Sequence, residues 1–175
     1  MTSHPFGTGW RFGPASAGSD QPGFDDSGFA EVTLPHTVVP LSWRDWDPSA
    51  WERVWMYRKR FDAPPGAERR RVFVDFAAAM TRATVTLNGT EVTDHLGGYL
   101  PFSVEVGGLL RPRGNVLAVR LDSTFNLNVP PDRPAPEPAI SVDYWQPGGI
   151  YRDVRLRVVP QAFLADLFAQ PVSVL

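Results

Sequence analysis

The chain has no cysteine, so thiolate nucleophiles, thiolate zinc sites and disulfides are excluded, and any chemistry must come from carboxylates, imidazoles and aromatic rings. Its histidines, His4, His36 and His95, stand far apart and lack the HExxH-type spacing that sets two imidazoles on one helix face. No metal centre is expected, and His36 and His95 read as turn histidines bonded to backbone. Asp25-Asp26 and the pair Asp45 and Asp47 have the oxygens to hold a divalent cation with loop carbonyls; acids in such loops are more simply solvated, and that is the expectation. Trp43, Trp46, Trp51, Trp55 and Trp145 offer indole faces that can stack on sugar rings, with Trp43-Arg44-Asp45-Trp46-Asp47 the run best suited to exposure. Most of these rings are expected to be packing, and Trp55, inside a strand pattern, belongs in the core. Arg152 and Asp153 follow a Gly-Gly turn and read first as a structural ion pair or turn anchor, and second as pocket wall. The run Arg69-Arg70-Arg71 reads as a solvated charged turn.

The elements that must position these groups are short. Within 175 residues, 18 prolines and 15 glycines recur so often that few windows could hold an amphipathic helix of three turns. An all-β fold around one core is expected. Strands are predicted at 29–34, 54–61, 71–76, 82–88, 102–106, 115–122 and 152–159, where Val, Phe, Tyr, Thr and Leu concentrate. Ala83, Val85 and Leu87 alternate with Thr84 and Thr86; Leu117, Val119 and Leu121 alternate with Ala118, Arg120 and Asp122; Val154, Leu156 and Val158 alternate with Asp153, Arg155 and Arg157. Each such strand should have one buried and one wet face, the pattern of antiparallel sheets packed face to face. Asn88-Gly89 supplies the two positive φ angles of a type I′ hairpin turn. Gly97-Gly98 and Gly107-Gly108 mark further turns. Five prolines between Val129 and Pro138 predict a long extended surface loop.

A hydrophobic content of 43% and a net charge of −2 give no electrostatic reason for a nucleic-acid partner. No run approaches the roughly 20 apolar residues of a membrane span. The first ten residues lack the basic and apolar regions of a signal peptide, and a cytoplasmic chain is expected.

The motifs between these strands are Leu34-Pro35-His36-Thr37; Trp55-Met56-Tyr57-Arg58-Lys59-Arg60-Phe61; Val72 to Phe76; Ala83-Thr84-Val85-Thr86-Leu87-Asn88-Gly89; His95-Leu96-Gly97-Gly98-Tyr99-Leu100-Pro101-Phe102; Gly114-Asn115-Val116-Leu117-Ala118-Val119; and Gly148-Gly149-Ile150-Tyr151-Arg152-Asp153-Val154. Their order resembles the N-terminal, sugar-binding-type domain of glycoside hydrolase family 2, the β-galactosidase and β-glucuronidase type. The resemblance implies a galactose-binding-domain-like jelly roll, a β-sandwich of two packed antiparallel sheets, here over 1–160. Residues 161–175 then resemble the lead into a following domain. In that family an immunoglobulin-like domain and a TIM barrel with two catalytic glutamates come next.

A barrel takes about 250 residues, and a retaining glycosidase needs two carboxyl groups about 5 to 5.5 Å apart on a rigid frame. The chain itself is therefore expected to be non-catalytic, with no catalytic residue, cofactor or metal. Its implied partners are the immunoglobulin-like and barrel domains of the same polypeptide and the carbohydrate substrate of the parent enzyme. In β-galactosidases of this pattern an aspartate at the place of Asp143 reaches the galactosyl hydroxyls, which marks Asp143 as a substrate-binding residue, with Trp145 as its pocket-facing neighbour. The sequence departs from the family pattern at Val38, where many members have Trp, across 39–51, and in the residues before Gly148, which leaves the sugar open. The alternatives are a freestanding carbohydrate-binding module whose platform is the loop from Trp43 to Trp51, and a purely structural domain whose apolar surface docks on the barrel.

Overall fold

Alternation sorts the strands into two sheets. The computed structural model describes residues 1–40, 48–124 and 148–171, with strands β1 (Thr2–Pro5), β2 (Trp10–Pro14), β3 (Ala30–Val32), β4 (Val54–Phe61), β5 (Arg71–Phe76), β6 (Arg82–Leu87), β7 (Thr90–Leu96), β8 (Phe102–Glu105), β9 (Asn115–Asp122) and β10 (Val154–Val159). A single helical turn, α1 (Pro48–Trp51), precedes β4, and 3-10 turns occupy Ala67–Arg69 and Gly107–Leu109. One antiparallel sheet has the order β1-β10-β5-β8 and the other β3-β2-β4-β9-β6-β7. Val72, Val74, Phe76, Val154, Leu156 and Val158 from the first meet Trp10, Tyr57, Val85, Leu87, Leu117 and Val119 from the second in one core. The expected all-β sandwich is the observed fold.

The hairpin between β6 and β7 turns where expected, with φ of 53° at Asn88 and 84° at Gly89, the left-handed conformation a type I′ turn requires. Asn88 also donates to the Leu109 carbonyl and to Asn115 Oδ1, and Arg111 N–H donates to that same oxygen. This end of the sandwich is thus closed by side-chain amides.

The outer face expected to be wet on the central strands is wet only in part: Arg120 is exposed as alternation predicts, but the row beside it is covered. Arg58, Ala118 and Thr86 form one row across β4, β9 and β6, on the side opposite the core, and all three are buried. The stretch 15–29 lies over them. Arg58 Nε donates to Asp26 Oδ2 at 2.8 Å, its Nη1 donates to the carbonyls of Ser19 and Gln21, and Thr86 donates to the Asp20 carbonyl. Arg60 adds two bonds to Asp26 at 3.1 and 3.2 Å. Burial alone would raise the Asp26 pKa, but the bonds from Arg58 and Arg60 outweigh it and hold the carboxyl below its ordinary range. Asp26 is therefore not a solvated loop acid, because two guanidiniums two residues apart on β4 needed a counter-charge once this face was covered.

Two further expectations are corrected on the outer face of the four-stranded sheet. Arg71 is not simply solvated: it makes a two-pronged pair with Glu105 at 2.7 and 2.8 Å. Asp153 pairs with Arg155 at 3.5 Å, while Arg152 lies over the Tyr151 ring. Arg157 clasps Asp75 through two bonds and Ser103 gives that carboxylate a third. Phe163, beyond β10, packs edge-on against Phe73 with Arg71 over both rings. Leu164, Leu167 and Phe168 beyond it are exposed.

Candidate functional site

At one end of the sandwich four stretches converge: 36–38 after β3, 80–81 before β6, 123–124 after β9 and 148–150 before β10. His36 N–H donates to the Ile150 carbonyl at 2.9 Å and Val38 N–H to that of Gly148 at 3.4 Å. Met80 and Gly149 exchange two backbone bonds at 2.9 and 3.2 Å. Ser123 N–H reaches the Arg53 carbonyl, and its hydroxyl donates to the Met80 carbonyl at 3.1 Å. Asp122 then accepts from both the N–H and the hydroxyl of Thr124, an Asx-type turn that fixes the direction in which the chain leaves β9.

Only glycine allows this seam. Gly149 has φ of 114°, and a Cβ there would meet the His36 carbonyl oxygen and the Cα of Thr37. The backbones approach so closely that no side chain fits between them.

Beneath the seam lies an aromatic cluster. Phe12 stacks on Trp55 at 5.0 Å and lies 4.7 Å from both His36 and Tyr57. Tyr57 is wholly buried, and a buried tyrosine needs partners for its hydroxyl. Its oxygen sits 2.8 Å from His36 Nδ1. Burial pushes the Tyr57 pKa far above its ordinary value, the Ile150 backbone opposing it, and burial lowers that of His36. The backbone bond expected of His36 is made by its N–H, but its ring serves Tyr57. His95 does bond backbone, through Nε2 and the Gly97 carbonyl at 3.1 Å, and its ring stacks on Phe102.

Trp55 and Trp51 are buried and present no stacking face to solvent, in line with the packing expected of them. Asp143, Trp145, Trp43, Trp46, Asp45, Asp47 and the proline-rich stretch 129–138 lie outside the described residues. Both ends of the span that contains Asp143 and Trp145 are nevertheless placed: Thr124 on one side and Gly148 on the other leave from the seam, where a Cβ on Gly148 would touch Ser123. Sequence reasoning missed Tyr57 and Ser123 as members of this end. A hydroxyl on the inward face of a strand at Tyr57 was the available signal. Ser123, past a strand end, gave none.

Among the described residues no group of three or more His, Asp and Glu could hold a metal ion. The described carboxyls with perturbed ionisation, Asp25, Asp26, Asp75, Asp94 and Glu105, are all pushed down, away from the raised pKa of a general acid. What the convergence does chemically is mount two chain ends on a rigid core.

The fold has close counterparts. A family model described as the glycosyl hydrolase 2 galactose-binding domain-like domain matches residues 36–152, which runs from the seam histidine to just past the seam glycines. A β-galactosidase from Thermoanaerobacter pseudethanolicus is 31% identical over 147 residues, covering 83% of this chain and 19% of its own length. A β-glucuronidase from Bacteroides fragilis is 29% identical over 147 residues, covering 80% and 19%. The crystal structure of a Bacteroides uniformis β-glucuronidase superposes with a TM-score of 0.73 at 30% identity, over 91% of this chain and 18% of that one. The chain thus spans about a fifth of the length of the curated relatives it matches. With the match running through both sides of the seam and most of the sandwich, the chain belongs to the galactose-binding-like domain family of glycoside hydrolase family 2.

Proposed function

We propose that this domain is the non-catalytic, N-terminal part of a family 2 glycosidase of β-galactosidase or β-glucuronidase type. The sandwich buttresses a catalytic barrel that stands, after an immunoglobulin-like domain, in the same polypeptide. The span between Thr124 and Gly148 lends Asp143, with Trp145 beside it, to the sugar pocket. The observation that carries this reading is the seam: both ends of that span are tied by backbone bonds to the core, the support a substrate-contacting segment needs. A carboxylate can accept two sugar hydroxyls at once, and the downward-shifted, guanidinium-paired acids of the sandwich suit scaffold roles.

The test is Asp143→Ala in the polypeptide that carries both this domain and the barrel, assayed on aryl β-galactosides and β-glucuronides. Leaving sugar hydroxyls unpaired costs about 1 to 3 kcal/mol of transition-state stabilisation, so kcat/KM should fall about 5- to 150-fold on the preferred substrate. An unchanged kcat/KM in a normally folded variant refutes the pocket role. The 175 residues alone should hydrolyse neither substrate. Calorimetric binding of galactosides or oligosaccharides by the isolated chain at millimolar affinity or better would instead favour a freestanding carbohydrate-binding module.

A further inference from the structure

The Tyr57 hydroxyl is placed to read the protonation state of His36. Its ring is wholly buried, so the phenol stays protonated and its hydrogen needs an acceptor. His36 Nδ1, 2.8 Å away, is that acceptor. This assigns a neutral imidazole with its proton on Nε2. A proton on Nδ1 would set two hydrogens against each other and put a cation beneath a seam whose backbone bonds join His36 to Ile150 and Val38 to Gly148.

We infer that His36 and Tyr57 form a proton-sensitive positioning catch, closed while the imidazole is neutral and weakened in mild acid, that sets how firmly residues 148–150 are held to residues 36–38. Its consequence for activity rests on the reading of Asp143 above; the catch itself is a property of the described residues.

The surroundings of the ring favour this behaviour. From β2 it faces Phe12 and from β4 Tyr57. Lys59, next along the same face of β4, is turned to the Phe6 ring and the Thr8 carbonyl. Arg53 lies over Trp55. Arg58 and Arg11 point to the opposite face, where they meet Asp26 and Glu31. Among the described residues no carboxylate faces His36 to hold its cation, and burial is what lowers its pKa.

Amide hydrogen exchange on this chain between pH 7 and pH 5, corrected for intrinsic rates, tests the catch. Protection at His36 and Val38, whose N–H groups donate to the Ile150 and Gly148 carbonyls, should fall about two- to tenfold in acid, the worth of one hydrogen bond. In His36→Asn, whose side-chain oxygen can accept from Tyr57 without titrating, protection should stay at its neutral-pH level throughout. Tyr57→Phe should begin at the acid level and remain there, and His95→Gln should behave as the parent. Protection that ignores pH in the parent, or that falls equally in His36→Asn, overturns the inference. The two readings fail separately. If Asp143→Ala leaves activity intact while exchange follows His36, the pocket role falls and the catch stands; the reverse pattern removes the catch alone.

Discussion

Replacing Asp26 by Ala should destabilise the domain more than any exposed acid would. Arg58 is fully buried and its Nη2 has no partner among the described residues. Without Asp26 the guanidinium keeps the carbonyls of Ser19 and Gln21 but no counter-charge, because Arg60, also paired to Asp26, is itself a cation. Breaking a buried pair on one side costs about 3 to 5 kcal/mol. For a domain of this size each kcal/mol moves Tm by about 2 to 4 °C, so Asp26→Ala should melt about 6 to 20 °C lower. The half-exposed Arg60 contributes little, since it can turn to water. Urea denaturation and thermal melts followed by circular dichroism measure the loss. Because deleting both charges removes the unpaired cation, the double variant Arg58→Met with Asp26→Ala should recover a good part of it. A loss within about 1 kcal/mol for Asp26→Ala, the size of an exposed pair, would refute the argument that the covered face depends on this charge. So would strict additivity in the double variant.

Gly149→Ala should cost at least about 2 kcal/mol, since the new methyl meets the His36 carbonyl at a φ that L residues rarely adopt; a melt unchanged from the parent would contradict the seam as described. Acid should act in two windows. His36, whose folded pKa lies below 6.5, contributes stability that is complete above pH 6.5 and is lost as pH falls through its folded value. Asp75, whose burial is outweighed by its bonds to Arg157 and Ser103, is held below 3.8, so its contribution is complete above pH 3.8 and lost only as pH falls through its lower folded value. Urea midpoints across pH should show His36→Asn removing part of the first slope and Asp75→Asn part of the second. A single slope, insensitive to both variants, would count against the assignment.

The sandwich was legible because period-two burial holds on the inner faces: Val85, Leu117, Val119 and Leu156 all point where alternation says they should. On the outer face of the larger sheet it held at Arg120 but failed along the row of Arg58, Ala118 and Thr86, since alternation registers burial on one side and is silent about a loop laid over the other. Thr86 and Ala118 looked wet for that reason. β1 and β2 were missed because Pro5, Gly13 and Pro14 punctuate them. Pro5 is tolerated at the end of an edge strand and Pro14 at a strand terminus, where no ladder bond is lost. At the candidate site, motif order singled out His36 and the glycines. Their joining through Tyr57 depends on long-range register, which no local pattern encodes.

The seam also bears on how such domains diversify. Thr124 and Gly148 leave from neighbouring points on the core, and the entropy of closing a flexible chain between fixed points grows only with the logarithm of its length, about 0.6 kcal/mol for each doubling. The sandwich can therefore accept replacements of residues 125–147 that differ widely in length and composition while the strands stay unaltered. If the segment carries the pocket contact proposed for Asp143, one transplanted from a relative of different sugar preference would need to preserve only its two attachment points, and this junction would be a natural cassette boundary.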